Sequence, residues 1–256
     1  GSSDVYSFSL RKNFDWGLDM MLGYAYTDAE DVNPMTSSVA VSNFENLATN
    51  DINNPIAGTS NYVVPHRLTF RASYANEFFG DNTTRFTMFA YASEGQPQSY
   101  VMGSGDLEGD GFFGRHLLYV PTGADDPNVQ FDAGFDQAAF FAWVADEGLS
   151  SGLQERNAQH AKWTTRFDFK VDQEFPSFGN TRGRVFAKVY NVGNLLNDEW
   201  GRVNDAQFFS VQIINSDVDA GTGQYIFNTF NDRTIEDVLE SRSLYEIRLG
   251  IEIDFN

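Results

Sequence analysis

The chain contains no cysteine, which removes a disulfide framework, a thiolate metal centre and a cysteine nucleophile from consideration. Basic residues are scarce: 17 Lys and Arg stand against 36 Asp and Glu, for a formal net charge of -19. A nucleic-acid binder needs a basic face to neutralise phosphates, and docking on anionic lipid needs a basic patch, so this balance argues against both. Also missing is any apolar run of about 18 residues, which excludes a transmembrane helix. Mean hydropathy is low, at -0.38. Crossing by strands remains open, because only every second residue of such a strand meets lipid. The three histidines, His66, His116 and His160, lie in no HExxH or zinc spacing. No GxSxG elbow or phosphate-binding glycine loop is present. Enzymatic activity is therefore not expected.

What is abundant is aromatic side chain: 24 Phe, 11 Tyr and 4 Trp make up 15% of the chain. Outer-membrane barrels use such residues as girdles. The last segment alternates strictly, with Tyr245, Ile247, Leu249, Ile251, Ile253 and Phe255 apolar and Glu246, Arg248, Gly250, Glu252 and Asp254 between them. Eleven residues of period two is about the length of a tilted spanning strand. The same alternation recurs at Tyr6–Leu10, Leu18–Tyr26, Leu68–Tyr74, Phe86–Ala92, Trp163–Val171 and Val185–Val189, which makes about seven strands.

The connections separate the architectures. Short turns are expected at Asn13–Asp15, Gly80–Asn82 and Pro176–Asn180, and long connections at roughly 29–60, 96–159 and 193–242. Strict alternation of short and long fits an outer-membrane barrel, with periplasmic turns and extracellular loops. A soluble Greek-key sandwich is the competing reading. The expectation is an all-β transmembrane antiparallel barrel in the outer membrane, with the last strand running inward to the periplasmic rim. Bacterial barrels start at 8 strands, so about seven imply a portion of a larger barrel, or several copies sharing one.

The loops carry further expectations. Asp126-Pro127 is a helix-start signal, and a helix is predicted over Asp132–Glu147 with Phe131, Phe135, Ala138 and Ala142 on one face and Gly148 as its stop. Phe208–Ile214 and Gln224–Phe227, joined by Asp219–Gly223, read as a hairpin above the membrane or as a further spanning pair. Asp106, Glu108 and Asp110, followed by Gly111, match the opening of a calcium loop, although its twelfth position is Leu117. These three are candidate Ca2+ ligands; the alternative is a flexible acidic turn.

Val185–Trp200, VFAKVYNVGNLLNDEW, resembles the penultimate-strand signature of TonB-dependent outer-membrane receptors, with Asn191, Asn194, Leu195, Leu196 and Asn197 matching its N-x-x-N-L-L-N run. LYEIRLGIEIDF resembles their closing strand. Further stretches, among them Glu77-Phe78-Phe79-Gly80, Leu118-Tyr119-Val120-Pro121 and Glu155-Arg156-Asn157, are similar to the Oar-like, carboxypeptidase-regulatory-like group. The resemblance implies the C-terminal part of a 22-stranded barrel plugged by an N-terminal domain, importing a substrate with energy delivered through TonB. The implied partners are outer-membrane lipid, lipopolysaccharide, the plug-bearing remainder of the protein and, through it, TonB. Two departures stand out: Asn256 follows the terminal aromatic Phe255, and Arg115-His116 replaces an acidic residue before Leu118-Tyr119-Val120-Pro121. The alternative functions are a surface-interaction barrel without active transport, and a soluble acidic domain that binds carbohydrate through Phe and Tyr.

Overall fold

The computed structural model describes residues 1–176, 182–206, 210–233 and 236–254. Seven long strands are present: β1 Ser2–Asn13, β2 Leu18–Asp31, β3 His66–Phe79, β4 Asn82–Ser93, β5 Thr164–Pro176, β6 Arg182–Tyr190 and β7 Glu246–Asp254. They lie side by side in chain order, every pair antiparallel, with the two-residue strand Gly58–Thr59 added beside the end of β2. Each predicted alternating segment falls in one of these strands except at its ends: Trp163 and Tyr245 stand just before β5 and β7, and Phe255 lies outside the described residues. The strands run further than the alternation does, because the backbone ladder continues through polar pairs such as Ser2 with Glu30.

Register carries the alternation from strand to strand. Leu10, Leu22, Phe70, Ala90 and Phe167 form one cross-sheet row. Met20, Ala72, Met88, Phe169, Val189 and Ile247 form the next. The result is one apolar face seven strands wide, on which Phe8 is 60%, Ile251 68% and Leu249 78% exposed. Burying one such side chain is worth about 1.5–3 kcal/mol, so an exposed apolar face of this size marks a surface suited to an apolar partner. Aromatic residues gather at both ends of it. At the long-connection end stand Tyr6, Tyr24, Tyr26, His66 and Trp163. At the short-turn end stand Trp16, Tyr74, Phe78 and Phe86.

The opposite face is charged. Asp19 bridges Arg11 at 3.1 Å and Arg71 at 3.4 Å. Lys170 meets Asp172 at 2.5 Å, and Arg184 reaches Glu252 at 3.3 Å and Glu174 at 3.8 Å. Phe186 interrupts this face for a local reason. Its ring covers Gly250 on the neighbouring strand, where a Cβ would collide, and Lys170 Nζ sits 4.9 Å above it.

The sheet is open. Among the described residues β1 pairs only with β2 and β7 only with β6, so no closed barrel is formed. The first short turn is Phe14–Gly17, where Gly17 at φ 97 donates to Phe14 O at 3.1 Å. The second is Gly80–Asp81, with Gly80 at φ 63. The third expected turn lies, from residue 177, outside the described residues. All three long connections leave from the other end of the sheet.

The second and third long connections fold together into a cap with its own core. Val129–Phe131, Tyr225–Phe230, Val211–Val218, Tyr100–Met102 and His116–Leu117 form a five-stranded sheet in that order. The third connection thus contains the expected hairpin, Val211–Val218 with Tyr225–Phe230, in a sheet separate from the seven long strands; Phe208 and Phe209 lie outside the described residues. Tyr100, Met102, Phe140, Ile213, Ile214 and Phe227 are fully buried here. Aromatic rings interlock: Tyr100 meets Trp143 edge-on at 5.0 Å, and Phe131 meets Phe227 at 5.7 Å and 89°. Such pairs add about 0.5–1.5 kcal/mol beyond their buried area. Much of the aromatic content thus builds this core rather than a girdle.

The cap helix departs from expectation. It spans Gln137–Asp146, because Asp136 accepts the Ala139 amide at 3.0 Å and caps it there. Residues 132–135 form a turn, with Phe135 N donating to Asp132 O at 2.9 Å. Phe140 and Val144 face the core while Ala138 and Ala142 are exposed. A phenyl ring removes far more apolar surface from water than a methyl group, and that difference sets the helix rotation. Asp126 starts no helix; it is buried and ties its own turn through the Thr122 and Asn128 amides at 2.7 and 2.8 Å. Gly148, at φ 66, ends the helix as expected, with Leu149 N donating to Val144 O at 3.0 Å.

Candidate functional site

Three buried polar side chains bind the long connections to one another. Asn157, at φ 57 and 1% exposed, exchanges hydrogen bonds with Ser99 Oγ. Its amide nitrogen donates to Thr59 O and Asn61 Oδ1, both at 2.7 Å. The adjacent Arg156 donates to Gly58 O at 2.9 Å, Val32 O at 3.3 Å and Asp31 Oδ1 at 3.0 Å. Arg115 donates to Phe44 O at 2.8 Å from the second connection into the first. Buried donors without such partners would each cost about 1–3 kcal/mol.

Between these braces lies a cavity of about 500 Å3, enclosed by residues 47–59 of the first connection, Leu117 and residues 153–156 of the second, and the end of β2. Glu30, Asn50, Asp51 and Arg156 supply its polar wall. Its size is that of a small-molecule site, and it lies where the first two connections meet at the end of β2. Arg156 Nε, beside it, is buried without a hydrogen-bond partner.

Two of the three candidate calcium ligands, Glu108 and Asp110, are arranged around a guanidinium. Arg115 pairs with Asp110 and with Glu108, the latter at 3.2 Å, and only 4% of its side chain is exposed. Asp106 instead accepts the Asp110 and Gly111 amides at 3.0 and 2.9 Å. Those amides, Gly111 foremost, hold its carboxyl below the usual range. Glu108 and Asp110 are brought together, and Asp106 is not brought with them. Among the described residues no three His, Cys, Asp or Glu side chains gather in a metal-holding group. Burial pushes Glu108 up to about 7, against the opposing charge of Arg115 and with the help of neighbouring Asp110. His116, next to Arg115 in sequence, is held below its ordinary value by burial. It sits 3.3 Å from Tyr225 Oη.

A second cluster could not be found from spacing. His66 Nε2 and His160 Nδ1 flank Glu94, at 4.0 and 3.8 Å, although the three are far apart in sequence. Tyr24 Oη lies 2.8 Å from His66 Nδ1. Strand register and the start of β5 bring these groups to one rim.

The asparagine run has a structural role. Asn191, at φ 53 and fully buried, receives its place from Asp168, which accepts its backbone amide at 2.9 Å. Its side-chain nitrogen donates to Gly201 O at 2.9 Å and Ser243 O at 2.6 Å. Asn194 Oδ1 accepts the Tyr245 amide at 3.2 Å, and Asn197 Oδ1 accepts the Glu199 amide at 2.8 Å. The run thus closes the third connection onto the start of β7, and leaves Leu195 and Leu196 42% and 71% exposed.

Comparison with models of known protein families, with curated proteins and with solved structures gave no match.

Proposed function

We propose that this chain is the C-terminal barrel segment of a TonB-dependent outer-membrane receptor that imports a substrate, and that it is not an enzyme. One observation carries the membrane part of this reading: a registered apolar face seven strands wide, bounded by two aromatic belts and backed by a charged face. From Tyr26 in one belt to Leu18, opposite Tyr74 in the other, is eight residues. That is about 27 Å along the strand at ~3.4 Å per residue, close to the ~25 Å apolar band of outer-membrane barrels once tilt is allowed for. The charged face then lines a wet interior, and the capped connections stand outside the cell. Unpaired backbone at the β1 and β7 edges is prohibitive in lipid, so further strands must complete the wall. The receptor part rests on the resemblance of Val185–Trp200 and the closing strand, and the cavity among the connections offers a place for cargo to be held.

The test has two stages. The protein should remain with the outer-membrane fraction after a urea wash and need detergent to stay monomeric; a chain that is folded and monomeric without detergent overturns the membrane reading. In cells, uptake that depends on this protein should vanish when TonB is deleted. Undiminished uptake would leave a surface-interaction barrel in its place.

A further inference from the structure

The cavity between the first two connections is lopsided in charge. Glu30, Asp51 and Glu155 line it. Glu30 and Glu155 are exposed and have no side-chain hydrogen bond or ion pair among the described residues. Asp51 spends one oxygen on the Asn53 amide at 2.8 Å. Among the described residues Arg156 is the one cation on the wall, and its charge is already met. Asp31 Oδ1 accepts from it at 3.0 Å, and Gly58 O and Val32 O take further donors. Arg115, two residues before Leu117 of the wall, is paired with Glu108 and Asp110. Much of the remaining wall is apolar, with Val32, Ile56, Leu117 and Leu153.

We propose that this cavity holds a small organic cation: an amine on an apolar body that also carries a hydroxyl or carbonyl oxygen. That this cation is the cargo rests on the import reading; the site itself is built from this chain's own residues. Three carboxylates beside a neutralised guanidinium attract positive charge and repel an anion. A bare metal ion does not suit the wall, since among the described residues no three His, Cys, Asp or Glu side chains gather to hold one. The positive charge therefore arrives on a larger body, and the apolar side chains give that body surface to bury. A neutral polyol gains nothing from the charge and lays hydroxyls against Val32, Ile56 and Leu153. A separate observation calls for the oxygen. The Arg156 side chain is only 6% exposed, and its Nε has no hydrogen-bond partner. An acceptor on the ligand satisfies it.

Titration calorimetry on the whole protein in lipid nanodiscs, with empty nanodiscs as the blank, tests this with three probes of one body. They are phenylalaninol, its diol analogue with a hydroxyl in place of the amine, and phenyllactate, and they carry a positive, a zero and a negative charge. Phenylalaninol should bind about tenfold tighter than the diol, or better, and phenyllactate more weakly than either. Raising salt from about 50 to about 500 mM should shrink the difference, because exposed carboxylates are screened. Asp51→Asn with Glu155→Gln, both at exposed positions, should bring phenylalaninol down to the level of the diol. Ala57→Trp, exposed on the cavity wall, should abolish binding of both by filling the space. Amide hydrogen exchange across residues 47–59 should slow with phenylalaninol and stay unchanged with phenyllactate. Equal binding of phenylalaninol and the diol, tighter binding of phenyllactate, no binding of phenylalaninol, or binding that survives Ala57→Trp overturns the cation site, whether or not uptake depends on TonB. The expected order of binding, with uptake undiminished in cells lacking TonB, supports the site and overturns import.

Discussion

Glu108 gives the most exacting test of the cap. Its carboxyl is 15% exposed and shares Arg115 with Asp110. Burial lifts it from an ordinary 4.5 to about 7. An acid whose value rises on folding binds more protons in the closed loop than in the open one. Its contribution is therefore complete below pH 4.5, declines as pH climbs, and is exhausted above about 7. Each unit between the two values is worth about 1.4 kcal/mol, so the free energy of opening residues 103–118 should fall by at most about 3 kcal/mol across that window. His116 works in the opposite sense. Burial depresses it below 6.5, so its contribution is present above that pH and lost as pH falls. Asp106 lies outside the window, because its value is lowered from 3.8. The Glu108 share is thus the difference between the native protein and Glu108→Gln, measured by amide hydrogen exchange of the 103–118 loop from pH 5 to 8 after correction for intrinsic rates. The variant should lose the decline and be the better protected of the two at pH 8. Parallel pH profiles would refute the claim that Glu108 is buried in its acid form, as would a native loop that tightens relative to the variant on raising the pH.

Other expectations address the remaining parts. Phe140→Ala should cost the cap about 3–5 kcal/mol and raise exchange across residues 211–230, while residues 66–93 of the sheet keep their protection; equal loosening of both would deny the cap a core of its own. Asn191→Ala removes two side-chain hydrogen bonds and places alanine at φ 53, for a loss of about 3 kcal/mol that protease cleavage within 192–245 should report. Leu249→Lys, on the apolar face, should destabilise the protein in a bilayer by about 2–4 kcal/mol in denaturant titration, against little effect from a neutral substitution of Glu252 on the other face; similar costs at both sites would argue against a lipid-facing side. Arg115→Gln frees Glu108 and Asp110 from their guanidinium. Calcium titration calorimetry should then register tighter binding than in the native protein, and the reverse order would show that Arg115 does not compete with the ion.

The strands were legible because their physics is local. Alternation of period two is written residue by residue, and in an antiparallel sheet of neighbours each strand's partner is the next one along. Tyr245 to Asp254 therefore declared both its conformation and its apolar side before any partner was known. The turn at Gly80 was legible for the same reason, since glycine tolerates positive φ wherever it stands, whereas the first turn, expected at Asn13–Asp15, lies at Phe14–Gly17, where Gly17 takes the positive φ. The cap was not legible. Helical spacing at Phe131, Phe135, Ala138 and Ala142 and the aromatic side chains around it were visible. Which residues face inward was settled by Phe140 finding Phe227 and Phe230, which come from the other connection. The acidic spacing of Asp106, Glu108 and Asp110 likewise said nothing of Arg115, whose burial decides where two of those carboxylates point. Glu94 lies between His66 and His160 only because strand register and a loop end place them at one rim. Sequence alone determined the strands, their faces and the end from which the long connections leave, because backbone geometry and side-chain alternation are local. Tertiary structure decided what those connections do, because the free energy of a buried ring or a shared guanidinium belongs to the contact and to neither residue by itself.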